Sequence, residues 1–377
     1  MKILHLIDHM GAGGAQEILL DLLEVRSPGM ETQVCALRDH ILPRARRRLE
    51  AADVPYDSLG LSKSSLNAPL AIRSRVQTRA HDIVHAHLDI ANTLGLAAAL
   101  TAAHGGSRFV GQFDNDPRYH RPLLNRLVGR LVAPKIDAYI VLCPSIQRST
   151  SRLLGISTDR LPIISPGINL DHFNPQVAID QTVVQHLRGG ARRVLGTLAR
   201  LVPQKGLDHL IDSLPILIKS EPSTRLLLIG DGPLRSALER KAEDLGVAGA
   251  VSFTGHLDRV VEAYRAMDVL VLPSRYEGFG LVLAEAMAMG VPIVATNVVG
   301  IKDVVTNSSN GLLVPYGDPK ALAGAALRLF EDLPLRERLV SKGHQEASLR
   351  YTREQMAART EALYDDILTR HAADNRR

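Results

Sequence analysis

Residues 267–296 read MDVLVLPSRYEGFGLVLAEAMAMGVPIVAT. The run Val269–Leu272 is wholly apolar and stops at Pro273, the mark of a short strand buried on both faces. After Gly278-Phe279-Gly280 a helix is expected from about Leu281, and Val291–Thr296 is a second strand-like run. Strand, glycine turn, helix and strand together form the repeating unit of a parallel sheet covered on both faces, so the fold class is α/β.

The alternation continues outward in both directions. Upstream stand RRVLGTLA, RLLLIGD and VSFTG, with helices expected from about Lys205, from Pro233 and near Arg259. The first half repeats the scheme with KILHLID, TQVCAL, DIVHAH, SRFVGQF and AYIVL, and with helices from about Ala15, near Leu42, in IANTLGLAAAL, near Leu123 and near Ser145. Between the halves, LPIISPGINLDHFNP carries prolines, a glycine and asparagines that disfavour regular structure. A chain of 377 residues also exceeds the roughly 250 to 300 that one core can serve. The expected organisation is two doubly wound domains, 1–168 and 190–350, with a ligand cleft between the carboxyl ends of their sheets. The last stretch, 351–377, is expected to be a helix that packs back on the first domain.

Composition excludes several classes. Hydrophobic residues make 45% of the chain and charged residues 23%, as in globular proteins, and no apolar run nears the roughly 18 residues of a membrane span. The N-terminal run contains His5 and Asp8 and lacks the form of a secretory signal, so a cytoplasmic location is expected. Cys35 and Cys143 sit in separate strand-like segments and are expected to be buried free thiols. Residues 1–170 hold 20 Lys+Arg against 15 Asp+Glu, and residues 171–377 hold 25 of each, so the net charge of +5 belongs to the first half. Arg44, Arg46, Arg47 and Arg48, with Arg118, Arg121, Arg126 and Arg130, form either a solvated helix face or a surface for anionic lipid at the inner membrane face. Trp is absent and aromatic residues are only 4%, so a nucleic-acid stacking surface is not expected.

The side chains that could carry chemistry cluster in the second half. Arg200 and Lys205 in GTLARLVPQKG follow a strand and open a helix, where two cations can clamp a diphosphate without a metal ion. Glu277 and Glu285 bracket the Gly278-Phe279-Gly280 turn, and a carboxylate accepts from the vicinal hydroxyls of a ribose or hexose. The glycines let backbone amides approach a sugar or phosphate closely. In the first half, Gly11, Gly13 and Gly14 lie between a strand and a helix. They suit an anion but fall short of a dinucleotide fingerprint, because Gln16 stands where a third glycine would be.

These motifs resemble glycosyltransferase family 4, a group of retaining enzymes with the GT-B fold. The resemblance covers most of residues 194–323 through GTLARLVPQKG, LIGDGP, FTGH, the segment from Met267 to Thr296 and NGLLVP. It implies that Arg200 and Lys205 bind the donor phosphates, that Glu277 with Gly278, Phe279, Gly280 and Leu281 holds the transferred hexose, and that Glu285 holds the ribose. It also places Gly255 near the base. No cofactor is implied beyond the nucleotide-diphosphate sugar itself, with a UDP-linked hexose or N-acetylhexosamine as the first choice of donor.

The first half resembles the family's acceptor domain more loosely, through GAGGAQ, with Gly13 and Gly14 on the donor side, and through His85 and His87. Where relatives carry a histidine beside the sugar, this chain has VGQFDND. Asp114, His85, His87 and His120 are therefore the candidates for that polar role. The hinge reads Pro166-Gly167-Ile168-Asn169, and Gly300-Ile301-Lys302-Asp303 replaces the family's GG-x-x-E segment. A glycan or lipid-linked acceptor is expected. Asp114-Asn115-Asp116 has the form of a metal-binding DxD triplet but stands in the half without the nucleotide motifs. His85 and His87 lack a third metal ligand at a recognisable spacing, so no metal is expected. An epimerase, a phosphorylase or a silent nucleotide-sugar-binding module on the same fold is the alternative.

Overall fold

The computed structural model describes residues 1–62, 68–77, 80–102, 107–117 and 123–374. The chain forms two compact units, Met1–Gly167 with Thr352–Arg377, and Ile168–Tyr351. The second unit thus takes in the residues from 168 onward, including a helix Gln181–Arg188 that the sequence did not suggest.

In the first unit, β1 (Lys2–Ile7), β2 (Glu31–Ala36), β3 (Tyr56–Ser58), β4 (Ile83–His87), β5 (Arg108–Phe113) and β6 (Ala138–Val141) form a parallel sheet in the order β3-β2-β1-β4-β5-β6. In the second, β7 (Arg193–Leu198), β8 (Thr224–Ile229), β9 (Val251–Gly255), β10 (Val269–Leu272), β11 (Ile293–Thr296) and β12 (Leu312–Val314) take the order β12-β11-β10-β7-β8-β9. Each order is that of a doubly wound fold, and each reverses once, between β1 and β4 and between β7 and β10. The strands legible in the sequence are present. The two it did not show, β3 and β12, are three-residue strands at sheet edges, too short to write a pattern.

Burial explains the apolar runs. Every residue of β4, β6, β10 and β11 is buried, because helices cover both faces of the sheets. Both cysteines are buried and free, Cys35 in β2 and Cys143 just after β6.

The closing helix Arg353–Asp374 is part of the first unit. Tyr364 is 1% exposed, Arg353 pairs with Glu24 at 3.0 Å, and Glu361 accepts from the Ser27 backbone N–H at 2.8 Å. A Cβ at Gly167 would stand 2.3 Å from the Thr352 carbonyl oxygen, so the outgoing chain passes the returning one where only glycine fits. No described helix is long and apolar enough to cross a membrane.

Candidate active site

In the second unit the family motifs meet at the carboxyl ends of β7 and β10, the strands between which the sheet order reverses. A 3-10 turn, Pro203–Lys205, follows β7. Lys205 Nζ donates to Glu277 Oε1 at 2.5 Å, and Ser274 Oγ donates to the same oxygen at 2.7 Å. Glu277 is 5% exposed, and these donors satisfy the buried oxygen.

Two glycines make this approach possible. Gly206 has φ 59°, and a Cβ there would lie 2.3 Å from the Pro273 carbonyl oxygen. Gly300 has φ 84°, and a Cβ there would lie 2.3 Å from the Glu277 carbonyl oxygen. Between them, Arg275 N–H donates to the Gln204 carbonyl at 2.8 Å, Gln204 Nε2 to the Tyr276 carbonyl at 3.0 Å and Glu277 N–H to the Val299 carbonyl at 3.1 Å. The loop carrying Glu277 is held from both sides. Gly300 thus has a structural task, and three positions on Asp303 stands where relatives usually carry a glutamate.

Gly280, with φ 81°, precedes the helix Leu281–Ala288, so Leu281 opens that helix. Phe279 is buried with its ring edge-to-face with Tyr351 at 5.2 Å, which anchors the glycine turn from beneath. Glu285 is half-buried, and its Oε2 accepts from the Tyr264 hydroxyl at 2.5 Å. Tyr264 is fully buried, and burial followed by the Glu285 charge holds its hydroxyl well above the usual range, so it stays a donor. The sequence pointed to a ligand hydroxyl as the partner of Glu285. The fold supplies one itself, from a residue in VVEAYRAM that no motif marks.

Arg200 is exposed, and its side chain has no hydrogen-bond or ion-pair partner among the described residues. Gly255 has φ 70° and open space at its Cβ position, so backbone conformation and not crowding selects glycine there.

In the first unit, Asp114 follows β5. Its Oδ1 accepts from Gln112 Nε2 at 2.6 Å, and its buried Oδ2 has no partner among the described residues. Burial pushes its pKa up to about 7, opposed by the Gln112 and Leu88 hydrogen bonds. Asp8, at the end of β1, accepts from the Ala91 and Ile90 N–H groups at 2.8 and 3.3 Å, and burial raises it to about 6. It caps a π-helical turn, Ala91–Gly95, at the sequence expected to be an ordinary helix. Asp116 is fully buried and accepts from Ser149 Oγ at 2.6 Å. The two carboxylates of the DxD triplet therefore serve different partners.

His85 and His87 do not fit an acceptor contact here: both are 0% exposed, with His85 Nδ1 2.7 Å from the Tyr364 hydroxyl. His120 lies outside the described residues, as do Arg118 and Arg121. Gly13 has φ 166°, an extended conformation, and precedes the helix Gly14–Glu24, whose N-terminus has no side-chain cap. In the arginine cluster Arg44, Arg46 and Arg47 are exposed, whereas Arg48 is half-buried. Arg44 pairs with Glu17, Arg48 pairs with Glu17, Asp21 and Glu24 at 3.0, 2.6 and 2.5 Å, and the Arg46 guanidinium lies 6.0 Å from the Tyr56 ring centre. Arg44 and Arg48 face carboxylates of the adjacent helix, which the linear spacing could not show.

Comparison with known proteins agrees with this geometry. A family description, Glycosyltransferase Family 4, matches residues 12–172, and a second, Glycosyl transferases group 1, matches residues 192–332. The chain is 30% identical to the GDP-mannose-dependent alpha-(1-6)-phosphatidylinositol monomannoside mannosyltransferase of Mycobacterium tuberculosis, over 72% of each chain. It is 33% identical to the lipopolysaccharide core biosynthesis mannosyltransferase LpsB of Rhizobium meliloti, over 55% of this chain and 61% of that one. Two other curated relatives are matched over only 24% and 59% of their own length. Among solved structures, Anabaena HepE in complex with UDP-glucose superimposes with a TM-score of 0.84 at 24% identity, covering 97% of this chain and 100% of that one, a likeness of fold. With both units matched and the GT-B architecture in place, the chain belongs to glycosyltransferase family 4.

Proposed function

We propose that the chain is a retaining glycosyltransferase that moves a hexose or N-acetylhexosamine from a nucleotide-diphosphate sugar to a glycan, lipid-linked or small-molecule acceptor. The observation that carries this reading is the half-buried Lys205 paired with the buried Glu277 beside the Gly278–Gly280 turn, with Arg200 exposed at the end of the same sheet. Lys205 Nζ has three donors and Glu277 takes one, which leaves others for a phosphate. Arg200 and Lys205 stabilise the leaving diphosphate, Glu277 orients the sugar and Glu285 the ribose. The diphosphate then accepts the acceptor's proton on the front face, through an oxocarbenium-like state. No cofactor is required, and no divalent metal at the phosphates.

UDP is the first choice of nucleotide, supported by the fold's likeness to a UDP-glucose complex. A GDP-mannose-dependent relative supports the guanine nucleotide as competitor. A location at the inner membrane face with a lipid-linked acceptor remains part of the proposal, although Arg44 and Arg48 are engaged and the lipid would have to meet other cations.

The test is a thermal-shift screen against UDP-, GDP- and ADP-sugars, in which a donor at about 100 times its Kd adds roughly 2.7 kcal/mol of stability. Glu285→Ala should lose the response to the intact donor. Stabilisation by no nucleotide sugar sinks the proposal. Donor conversion without acceptor would favour an epimerase, and binding without slow donor hydrolysis a silent module.

A further inference from the structure

Three histidines meet inside the first sheet. His5 in β1 and His85 in β4 are directly opposed in register, and His87 stands two residues along on the same face as His85. His5 is 1% exposed and the other two 0%. One ring nitrogen from each lies within 4.8 Å of the others, and His5 Nδ1 is 3.0 Å from His87 Nε2. The sequence displayed the His-x-His pair but no third ligand, because His5 comes from a strand some 80 residues earlier and only strand pairing brings it alongside.

Hydrogen bonding alone does not account for this cluster. His85 Nε2 and His87 Nδ1 are buried without a hydrogen-bond partner among the described residues. Native interiors seldom leave such atoms unmet. Burial holds all three rings neutral, lowering His5 to about 3 and the other two well below the usual histidine range, so each keeps a lone pair. His85 Nδ1 is 2.7 Å from the Tyr364 hydroxyl, and donation along that contact would fix the tautomer with the lone pair on Nε2. Metal-binding histidines are oriented in this way by a partner on the second nitrogen.

We propose that His5, His85 and His87 bind one divalent transition-metal ion of the kind that favours imidazole, zinc first. Three imidazoles supply three of the four positions of a tetrahedral site. Bonds of 2.0 to 2.1 Å set ligand nitrogens about 3.3 Å apart, close to the 3.0 Å already present between His5 and His87. The ion would join the two central strands of the sheet and, through His85 and Tyr364, the closing helix. Its ligands all belong to the first unit.

The experiment uses the full, tag-free chain, stripped with a chelator, incubated with Zn2+ and desalted, with zinc then measured by mass spectrometry. We expect about one zinc per chain, a raised Tm, and intense tetrahedral visible bands when Co2+ replaces zinc. His5→Gln and His85→Gln should lose retention and bands. Tyr364→Phe keeps the ligands and the ring packing, and should weaken retention about 10- to 100-fold. Absence of retained zinc in the wild-type chain overturns the proposal. So does equal retention in folded His5→Gln or His85→Gln, or an octahedral cobalt spectrum.

Discussion

Glu285 illustrates how one side chain can look different in sequence and in structure. Beside Ala286, Met287, Ala288 and Met289 it reads as a carboxylate short of partners, yet the buried Tyr264 hydroxyl reaches it at 2.5 Å. A hydrogen bond to a charged group contributes about 1.5 to 3 kcal/mol. Tyr264→Phe should therefore lower the Tm of the ligand-free chain and, by leaving Glu285 unsteadied, also raise the donor Kd measured by calorimetry. Asp114 makes a second residue-scale prediction. Its carboxyl ionises near 3.8 in the unfolded chain but stays protonated to about 7 in the fold. Its contribution to stability is thus fully present below about pH 4, declines as pH rises towards 7 and is lost above it. Asp114→Asn should remove that slope, so the variant gains on the wild type between pH 4 and pH 7, by about 4 kcal/mol. Parallel Tm-against-pH curves for the two proteins would contradict this.

At the scale of elements, the proposed donor site is a loop clamped by two turns. Gly206 and Gly300 both hold positive φ, and each faces a carbonyl oxygen 2.3 Å from where a Cβ would be. Gly206→Ala should add about 1 to 2 kcal/mol of backbone strain, with the steric clash in addition. It should also part Lys205 from Glu277, so nucleotide-sugar affinity should fall more than tenfold along with the Tm. Much of this site was legible, because the Glu277/Glu285 spacing, the glycine turn and the Arg200/Lys205 pair are local patterns. Tyr264, Ser274, Gln204 and Gly300 were not marked, because their contacts join different strand-to-helix connections. The partners of Arg44 and Arg48 were hidden for the same reason. The periodicity of the cluster was visible, but the carboxylates opposite these two lie on another helix.

At the scale of the molecule, the closing helix belongs to a unit whose other residues lie almost two hundred positions away. Tyr364 is fully buried there, and replacing a buried aromatic with alanine costs about 3 to 5 kcal/mol. Tyr364→Ala should lower the melting of the first unit while nucleotide-induced stabilisation of the second persists. Loss of both together would show that the two units unfold as one.

The sequence by itself determined the α/β class, nearly every strand and the donor-site motifs, since strand burial and glycine turns are written in neighbouring residues. Only the tertiary structure decided which side chains complete those motifs. It paired Tyr264 with Glu285, placed carboxylates over Arg48, enclosed His85 and His87 and added His5 to them. The physical reason is range: periodicity reports what the chain does over a few residues, whereas hydrogen bonds and ion pairs form between strands and helices that the fold alone brings within 3 Å.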